Sequence, residues 1–478
     1  MRAAGERDIS RGMTHPKLTL VVDKAQKSLE PAIARLNGFL AIPAISCEPA
    51  HKPDVKKLAE HVRDDLKKVG FENCRLLELP DAHPCVAAEW IKHKDKPTIL
   101  IYGHLDLQPV QGEAWATEPH VPTRKPSPQG ERLYARGAAD DMGGWVSHLV
   151  ALEAWLTEAG ELPCNVKLLI EGEEEIGSPN LEKFMDAFPE AFTSDVMVLT
   201  DCENPSTEIP GLTVSLRGLL EIEVTCESAS SDVHSGLWGN IVPDPCMALI
   251  KILSRLVDDD TRMVVDRRPV DPTWLKASFD IPLDDAVITS AAHLLPGVKP
   301  LPNRDLSPAA WIWRQPAVTV LSTTFPPPGR EKNAIRKTCS AILSVRLAPG
   351  QTRDQMLPAL QKVLTENAPG GLKVTMTERP GGSMSWDYTP KGPAFAAADR
   401  AYEKAWGRKL LPIGVGGSIP FVALFGRKFS NLPLILNGVM DPQTTAHGPN
   451  ESLHLGVFHK AIMANVHLLD ELAALPKA

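Results

Sequence analysis

The chain has no CxxC pair and no clustered cysteine spacing; its eight cysteines, at 47, 74, 85, 164, 202, 226, 246 and 339, are scattered over 478 residues. That scatter speaks against a disulfide framework and suits mostly reduced, buried thiols. No single cysteine has a local context that marks it as a nucleophile. Long apolar runs are also missing, none approaching the roughly 20 residues of a membrane span. The stretch Met1 to Thr14 carries several charges without an apolar core, so it does not read as a secretory signal. A cytoplasmic protein without a membrane partner is the expectation. Positive charge is in short supply: 51 Lys and Arg face 59 Asp and Glu, a net charge of −8. No basic stripe for nucleic acid is visible, and pairs such as Lys56-Lys57 and Lys67-Lys68 read as solvated helix faces.

What is present is an ordinary globular composition, 43% hydrophobic and 23% charged. A chain this long is expected to form two domains rather than one core. The 43 prolines are spread through candidate loops as rigid turns and gather into no linker.

Apolar periodicity predicts helices over 26–40 and 53–69, the second marked by Val55, Leu58, Val62, Leu66 and Val69. A buried strand over 97–102, a helix over 141–158, a strand over 164–170, a helix near 178–187 and a strand over 196–200 follow. Strands alternating with helices indicate an α/β layer with a largely parallel sheet. After Pro210 the pattern becomes α+β. Two adjoining strands occupy 212–227, followed by a helix at 244–257, strands at 317–323 and 339–347, a helix at 353–366 and a strand at 372–378. Helices return beyond about 390, with one apolar strand at 433–436. The fold class is therefore α/β: a domain with a mostly parallel mixed sheet flanked by helices (1–210 and 388–478), plus an inserted α+β domain (211–387).

Five chemically suggestive positions fall in turns at predicted strand ends, where sites assemble in open α/β sheets. His104 and Asp106 can face one side of an extended segment, an imidazole ligand with a carboxylate behind it. Asp140 and Asp141, in Arg136-Gly-Ala-Ala-Asp-Asp-Met-Gly-Gly144, read either as a bridge between two cations or as a helix N-cap. Glu171, Glu173, Glu174 and Glu175 are either a solvated acidic loop or a division of labour, one Glu on metal and its neighbour facing the attacking water. Asp201 and His447 complete the set. Two His and three carboxylates make a hard N/O donor set suited to zinc, with manganese or cobalt as substitutes. Three carboxylates against two divalent ions leave +1, which one hydroxide neutralises.

In this order the residues resemble the M20 family of metallopeptidases, within it the carnosinase-like dipeptidases. The blocks are GHLDLQP (103–109), RGAADDMGG (136–144), EGEEEIGS (171–178), Asp201, SSDVHSG (230–236), VRLAPG (345–350), GGSIP (416–420) and AHGPNE (446–451). The resemblance implies two Zn2+ per subunit. His104, Asp140 and Asp201 would hold one, and Asp140, Glu175 and His447 the other. It makes Glu174 the general base and sets Asp106 behind His104. It also implies that 1–210 and 388–478 are the catalytic domain and 211–387 a lid and dimerisation domain, in a homodimer in which His234 reaches the partner's site to stabilise the oxyanion. Arg346 would bind the carboxylate of a small peptide substrate, with Asn333 and the Gly417-Ser418 backbone adding contacts.

Two departures stand out: Ala135 where relatives commonly have Gly, and Met142 where they commonly have Lys. Neither removes a proposed ligand. Asp201 matches the dipeptidase and aminopeptidase branches, whereas the carboxypeptidase and deacylase branches usually carry Glu. Dipeptide hydrolysis is therefore the expectation. The alternatives are a deacylase or desuccinylase of N-acyl amino acids and a non-catalytic dimeric scaffold.

Overall fold

The computed structural model describes residues 14–327, 329–417, 420–429 and 432–477. Ser418 and nearly all of the N-terminal stretch considered above lie outside the described residues.

A six-stranded sheet runs in the order Glu72–Leu77, Cys85–Trp90, Asn165–Glu171, Thr98–His104, Val196–Leu199, Leu434–Leu436. The first two neighbouring pairs are antiparallel and the remaining three parallel. The expected mostly parallel mixed sheet is what forms. In the strand Thr98–His104, Ile99 and Ile101 enter one core while Leu100 and Tyr102 enter the other. A strand buried on both faces needs this unbroken apolar run instead of an alternating one.

A second, four-stranded antiparallel sheet takes all its strands from the middle of the chain: Ala317–Thr323, Thr338–Leu347, Gly218–Glu227 and Lys373–Glu378, in that order. Gly218–Glu227 alternates buried and half-buried along its length, packing one face on the helices Pro245–Leu253 and Arg353–Thr365. Its other face presents Leu219, Glu221, Glu223, Thr225 and Glu227. Alternation here and an apolar run in the first sheet are the two sequence signatures that separated the sheets.

Some elements depart from expectation. The single helix read at 26–40 is two, Leu18–Gln26 and Leu29–Leu40. Pro31 has no N–H to give Lys27 O, and its ring would clash with that carbonyl, so it fits only in a first turn. Three short helices, Pro272–Ser278, Asp285–Ala291 and Pro308–Arg314, occupy a stretch without strong periodicity. Side-chain oxygens of Asp271, Asp284 and Ser307 accept their first free N–H groups. The hairpin Thr123–Ser127 and Gly130–Tyr134, which pairs with Ser452–His454, also escaped the periodicity.

Candidate active site

The carboxyl ends of three neighbouring parallel strands converge: Thr98–His104 ends on His104, Asn165–Glu171 feeds the acidic turn, and Val196–Leu199 runs into Asp201. Edges of α/β sheets collect ligands here because side chains from adjacent loops meet without crossing the core.

His104 is fully buried. Its Nε2 lies 3.1 Å from Asp140 Oδ1 and 4.0 Å from Asp201 Oδ2. Its Nδ1 sits 3.1 Å from Asp106 O and 3.6 Å from the Asp106 carboxylate. The other oxygen of Asp140 turns the opposite way, 3.1 Å from His447 Nε2, which is also 3.2 Å from Glu175 Oε2. One carboxylate thus faces two imidazoles, one on each oxygen. His447 stands in a left-handed turn (φ +62°) with 59% of its side chain exposed.

Asp106 does more than back His104. Its two oxygens accept the backbone N–H groups of Glu174 and Glu175, both at 3.1 Å. One buried residue therefore holds the imidazole through its carbonyl and the acidic turn through its carboxylate. The acidic run is no solvated loop. Glu171 is buried and accepts from the Tyr102 hydroxyl, while Glu173 accepts from His83 N at 2.7 Å and from Asn180. Only Glu174 and Glu175 remain for the cleft, and Gln108 Nε2 donates to Glu175 Oε2 at 2.7 Å.

Asp141 occupies the N-cap position of the helix Met142–Glu158, but its side chain makes no capping bond. It turns beneath the site, accepting from His104 N (3.2 Å) and Thr200 Oγ1 (2.7 Å). A Cβ on Gly144 would come within 2.1 Å of the other Asp141 oxygen, so glycine is needed for this approach.

Crowded carboxylates in a dry site resist ionisation. Burial, then the charge of Asp140, pushes Asp201 up to about 7. Burial holds Glu174 well above the carboxylate range, and raises Glu175. Burial alone would lower His104, yet its bonds to Asp106 and Asp140 and the nearby Asp201 drive it well above the usual imidazole range. Bonds to Asp140 and Glu175 raise His447 to about 11. Asp140 is the exception: burial opposes its charge, but the two imidazoles bring it below the usual range.

These features fit metal ions. Donor atoms of His104, Asp140 and Glu175 lie within 4.8 Å of one another, and so do those of His104, Glu174 and Asp201. The donors are imidazole nitrogens and carboxylate oxygens, the set zinc favours.

Not every expected residue joins this cluster. His234 and Asn333 neighbour each other in the second unit, where Val233–His234 pairs with Ala334–Ile335 and Ser235 N donates to Asn333 O at 3.0 Å. Both are exposed, and among the described residues neither bonds to the cluster. Arg346 lies on the second sheet, between Ala317 and Leu219. Gly417 follows the strand Leu411–Val415, and its neighbour Gly416 is held by Arg217 Nε at 2.8 Å.

The reading of the sequence gave no role to Glu451, which proves central. It is fully buried, with one oxygen accepting from Ala139 N and Asp140 N (3.1 Å each) and the other from Gly137 N and Arg136 Nη1 (3.0 Å each). It ties the loop bearing His447 to the backbone bearing Asp140. Its partner lies 315 residues away, so no spacing rule reveals it; its place in the AHGPNE block was the one available signal.

A cysteinylglycine-S-conjugate dipeptidase of Corynebacterium striatum is 31% identical over 410 residues, covering 85% of this chain and 87% of that protein. The beta-Ala-His dipeptidase of Rattus norvegicus is 28% identical, covering 88% and 89%. The solved structure of the di-peptidase Dug1p from Saccharomyces cerevisiae superposes with a TM-score of 0.79 at 24% identity, covering 97% of this chain and all of that one, and so shares the fold. Residues 100–471 match Peptidase family M20/M25/M40, and the chain is a metallopeptidase belonging to that family.

Proposed function

We propose that this chain hydrolyses the amide bond of dipeptides through a two-zinc site. The observation that carries the reading is Asp140, one oxygen toward His104 and the other toward His447, with Glu174 beside them. His104, Asp140 and Asp201 would hold one ion and Asp140, Glu175 and His447 the other. When bound, the ions supply Lewis acidity toward the scissile carbonyl and the attacking water.

The chain's own residues handle the rest. Asp106 fixes the Glu174 backbone, so the carboxylate is aimed without reorganisation. Glu174 takes a proton from the attacking water and passes it to the leaving amine, a role its burial-raised pKa suits. Arg346 offers a planar fork for the substrate carboxylate, with Asn333, Gly417 and Ser418 as further contacts. Dipeptides are favoured over N-acyl amino acids because the similar curated proteins carry dipeptidase names.

In the same reading, residues 1–210 and 388–478 form the catalytic domain and 211–387 a lid that makes a homodimer. Supporting this, exposed Leu237, Trp238 and Ile241 lie beside His234, and Val320 and Leu321 are exposed on the strand Ala317–Thr323. An apolar surface of this kind suits burial against a second copy, which would bring His234 to the partner's site as oxyanion donor. Eight free cysteines favour a reducing, cytoplasmic setting, and among the described residues no helix is long and apolar enough to cross a membrane.

The test is a dipeptide panel run beside N-acyl amino acids, with zinc, manganese and cobalt supplied separately. Glu174→Gln is expected to lower kcat by about 10²–10⁴ while metal content holds. Turnover close to that of the unmodified protein would refute the assignment of the base.

A further inference from the structure

Between the second sheet and the three short helices lies a cavity of about 450 Å³. Met263, Trp311 and Ile312 give it an apolar wall, and Arg217, Arg262 and Lys299 give it three cations; among the described residues no carboxylate lines it. Among the described residues Arg217 has no carboxylate partner, and the Arg262 guanidinium has Asp260 and Asp258 as its nearby acidic groups without a short contact to either. Arg262 Nη1 is buried without a hydrogen-bond partner among the described residues, its nearest carboxylate being Asp260 at 3.7 Å, an oxygen that Arg304 also engages. Its guanidinium rests on the Trp311 ring at 4.3 Å, which fixes its direction without neutralising it.

Arg217 is bonded only to carbonyls among the described residues, Gly416 O at 2.8 Å and Gln315 O at 3.5 Å. Burial, then the neighbouring charge of Arg346, lowers its pKa to about 10. A backbone staple would explain its Nε bond. It does not explain why like charges gather around one space, an arrangement that costs stability unless an anion enters.

The cavity adjoins the residues assigned above to the substrate carboxylate. Ala317, in its wall, is the cross-strand partner of Arg346, and Arg217 grips the residue preceding Gly417. A carboxyl-terminal residue held at Arg346 would therefore have this cationic, partly apolar space one strand away. We propose that this cavity receives an acidic side chain on the carboxyl-terminal residue, so that the preferred dipeptides end in Glu or Asp. The inference rests on the dipeptidase reading and adds a substrate class to it.

The experiment compares Ala-Glu with its neutral isostere Ala-Gln on the metal-loaded protein and on the variants Arg262→Met and Lys299→Met. The ratio of their kcat/KM values cancels partial loss of folded protein, and Lys299 is exposed, so at least one variant keeps the fold. Expected is at least a tenfold preference for Ala-Glu, residing in KM, that falls about tenfold in each variant. Calorimetry with glutarate on the same samples gives a second readout: binding that weakens in both variants. Hydrolysis of both dipeptides at equal efficiency, without variant-sensitive glutarate binding, overturns the inference and leaves the dipeptidase reading intact. If neither dipeptide is cleaved while glutarate binds in an Arg262-dependent way, the dipeptidase reading fails and the anion site stands.

Discussion

Two layers of buried charge lie against each other at the strand ends, and they are balanced in opposite ways. In the lower layer Arg132 pairs with Asp441 through both terminal nitrogens, at 3.1 and 2.9 Å, and its Nε donates to Ser452 at 2.8 Å. Arg136 and Glu451 form the second pair there. In the upper layer Asp140, Glu174, Glu175 and Asp201 share only two imidazoles, and several of them resist ionisation. The lower layer carries its own counter-charges and acts as a scaffold. The upper layer lacks them, so either protons or divalent cations must supply the difference. Adjacent clusters of similar composition can thus do unrelated work, and what separates them is whether a guanidinium is within reach.

The sharpest way to break this contrast is to remove the carboxylate facing both imidazoles. Asp140→Ala is expected to cost both ions and several kcal/mol of transition-state stabilisation, on the order of 10³ in rate. Metal analysis with single-turnover rates checks it; an Asp140→Ala protein with full metal content would show that the two halves do not share a ligand.

Glu451→Gln attacks the lower layer. It leaves Arg136 buried with only Glu113, 3.4 Å away and partly exposed, as a counter-charge. About 3 kcal/mol of stability should be lost in denaturant titrations. Metal affinity should weaken about tenfold because a carboxamide keeps one acceptor oxygen for the four donors that hold the Asp140 backbone. Lost stability with unchanged metal affinity would confine Glu451 to the scaffold.

The smallest effect is the dependence on pH, and it runs through both layers, since burial also raises Glu451 to about 7. In the metal-free protein Asp201, Glu174 and Glu175 have raised pKa values, so the folded state keeps protons that the unfolded chain releases near pH 4. Their contribution is complete below that pH and is lost as pH rises through the folded values, about 7 for Asp201. His104 and His447 are also raised, the latter to about 11, so what they contribute is lost only above neutrality. The lowered Asp140 acts in the opposite sense, below pH 4. Between pH 5 and 7.5 the Tm of metal-free protein should therefore fall by a few degrees. The stabilisation added by zinc should grow over the same range, since metal ligands must be deprotonated. A gap that narrows instead would contradict the origin given to these shifts.

Four strands of the first sheet and all four of the second were legible because periodicity reports burial, whereas Glu72–Leu77 and Cys85–Trp90 were not foreseen. Ile99 to Tyr102 reads as a strand buried on both faces, and Leu219 to Thr225 as one buried on a single face. The helix Met142–Glu158, buried on nearly every side, was legible as a long apolar stretch, while the short capped helices of the middle stretch were not, being held by caps and local packing more than by an apolar stripe. In the cluster, His104, Asp140, Glu174, Glu175, Asp201 and His447 could be nominated one by one, since each stands where an apolar strand gives way to a polar turn or in a motif block. Asp141 reads as a cap and Glu451 as the end of a loop until the fold brings His104, Thr200 and Arg136 to them.

Sequence alone determined which side chains were available and on which strand ends they sit, because local patterning controls local structure. Tertiary structure decided which carboxylates meet guanidinium, which meet imidazole, and which are left for cations. Charge pairing depends on distance in space, and partners such as Arg136 and Glu451, 315 residues apart, acquire that distance only when the chain folds.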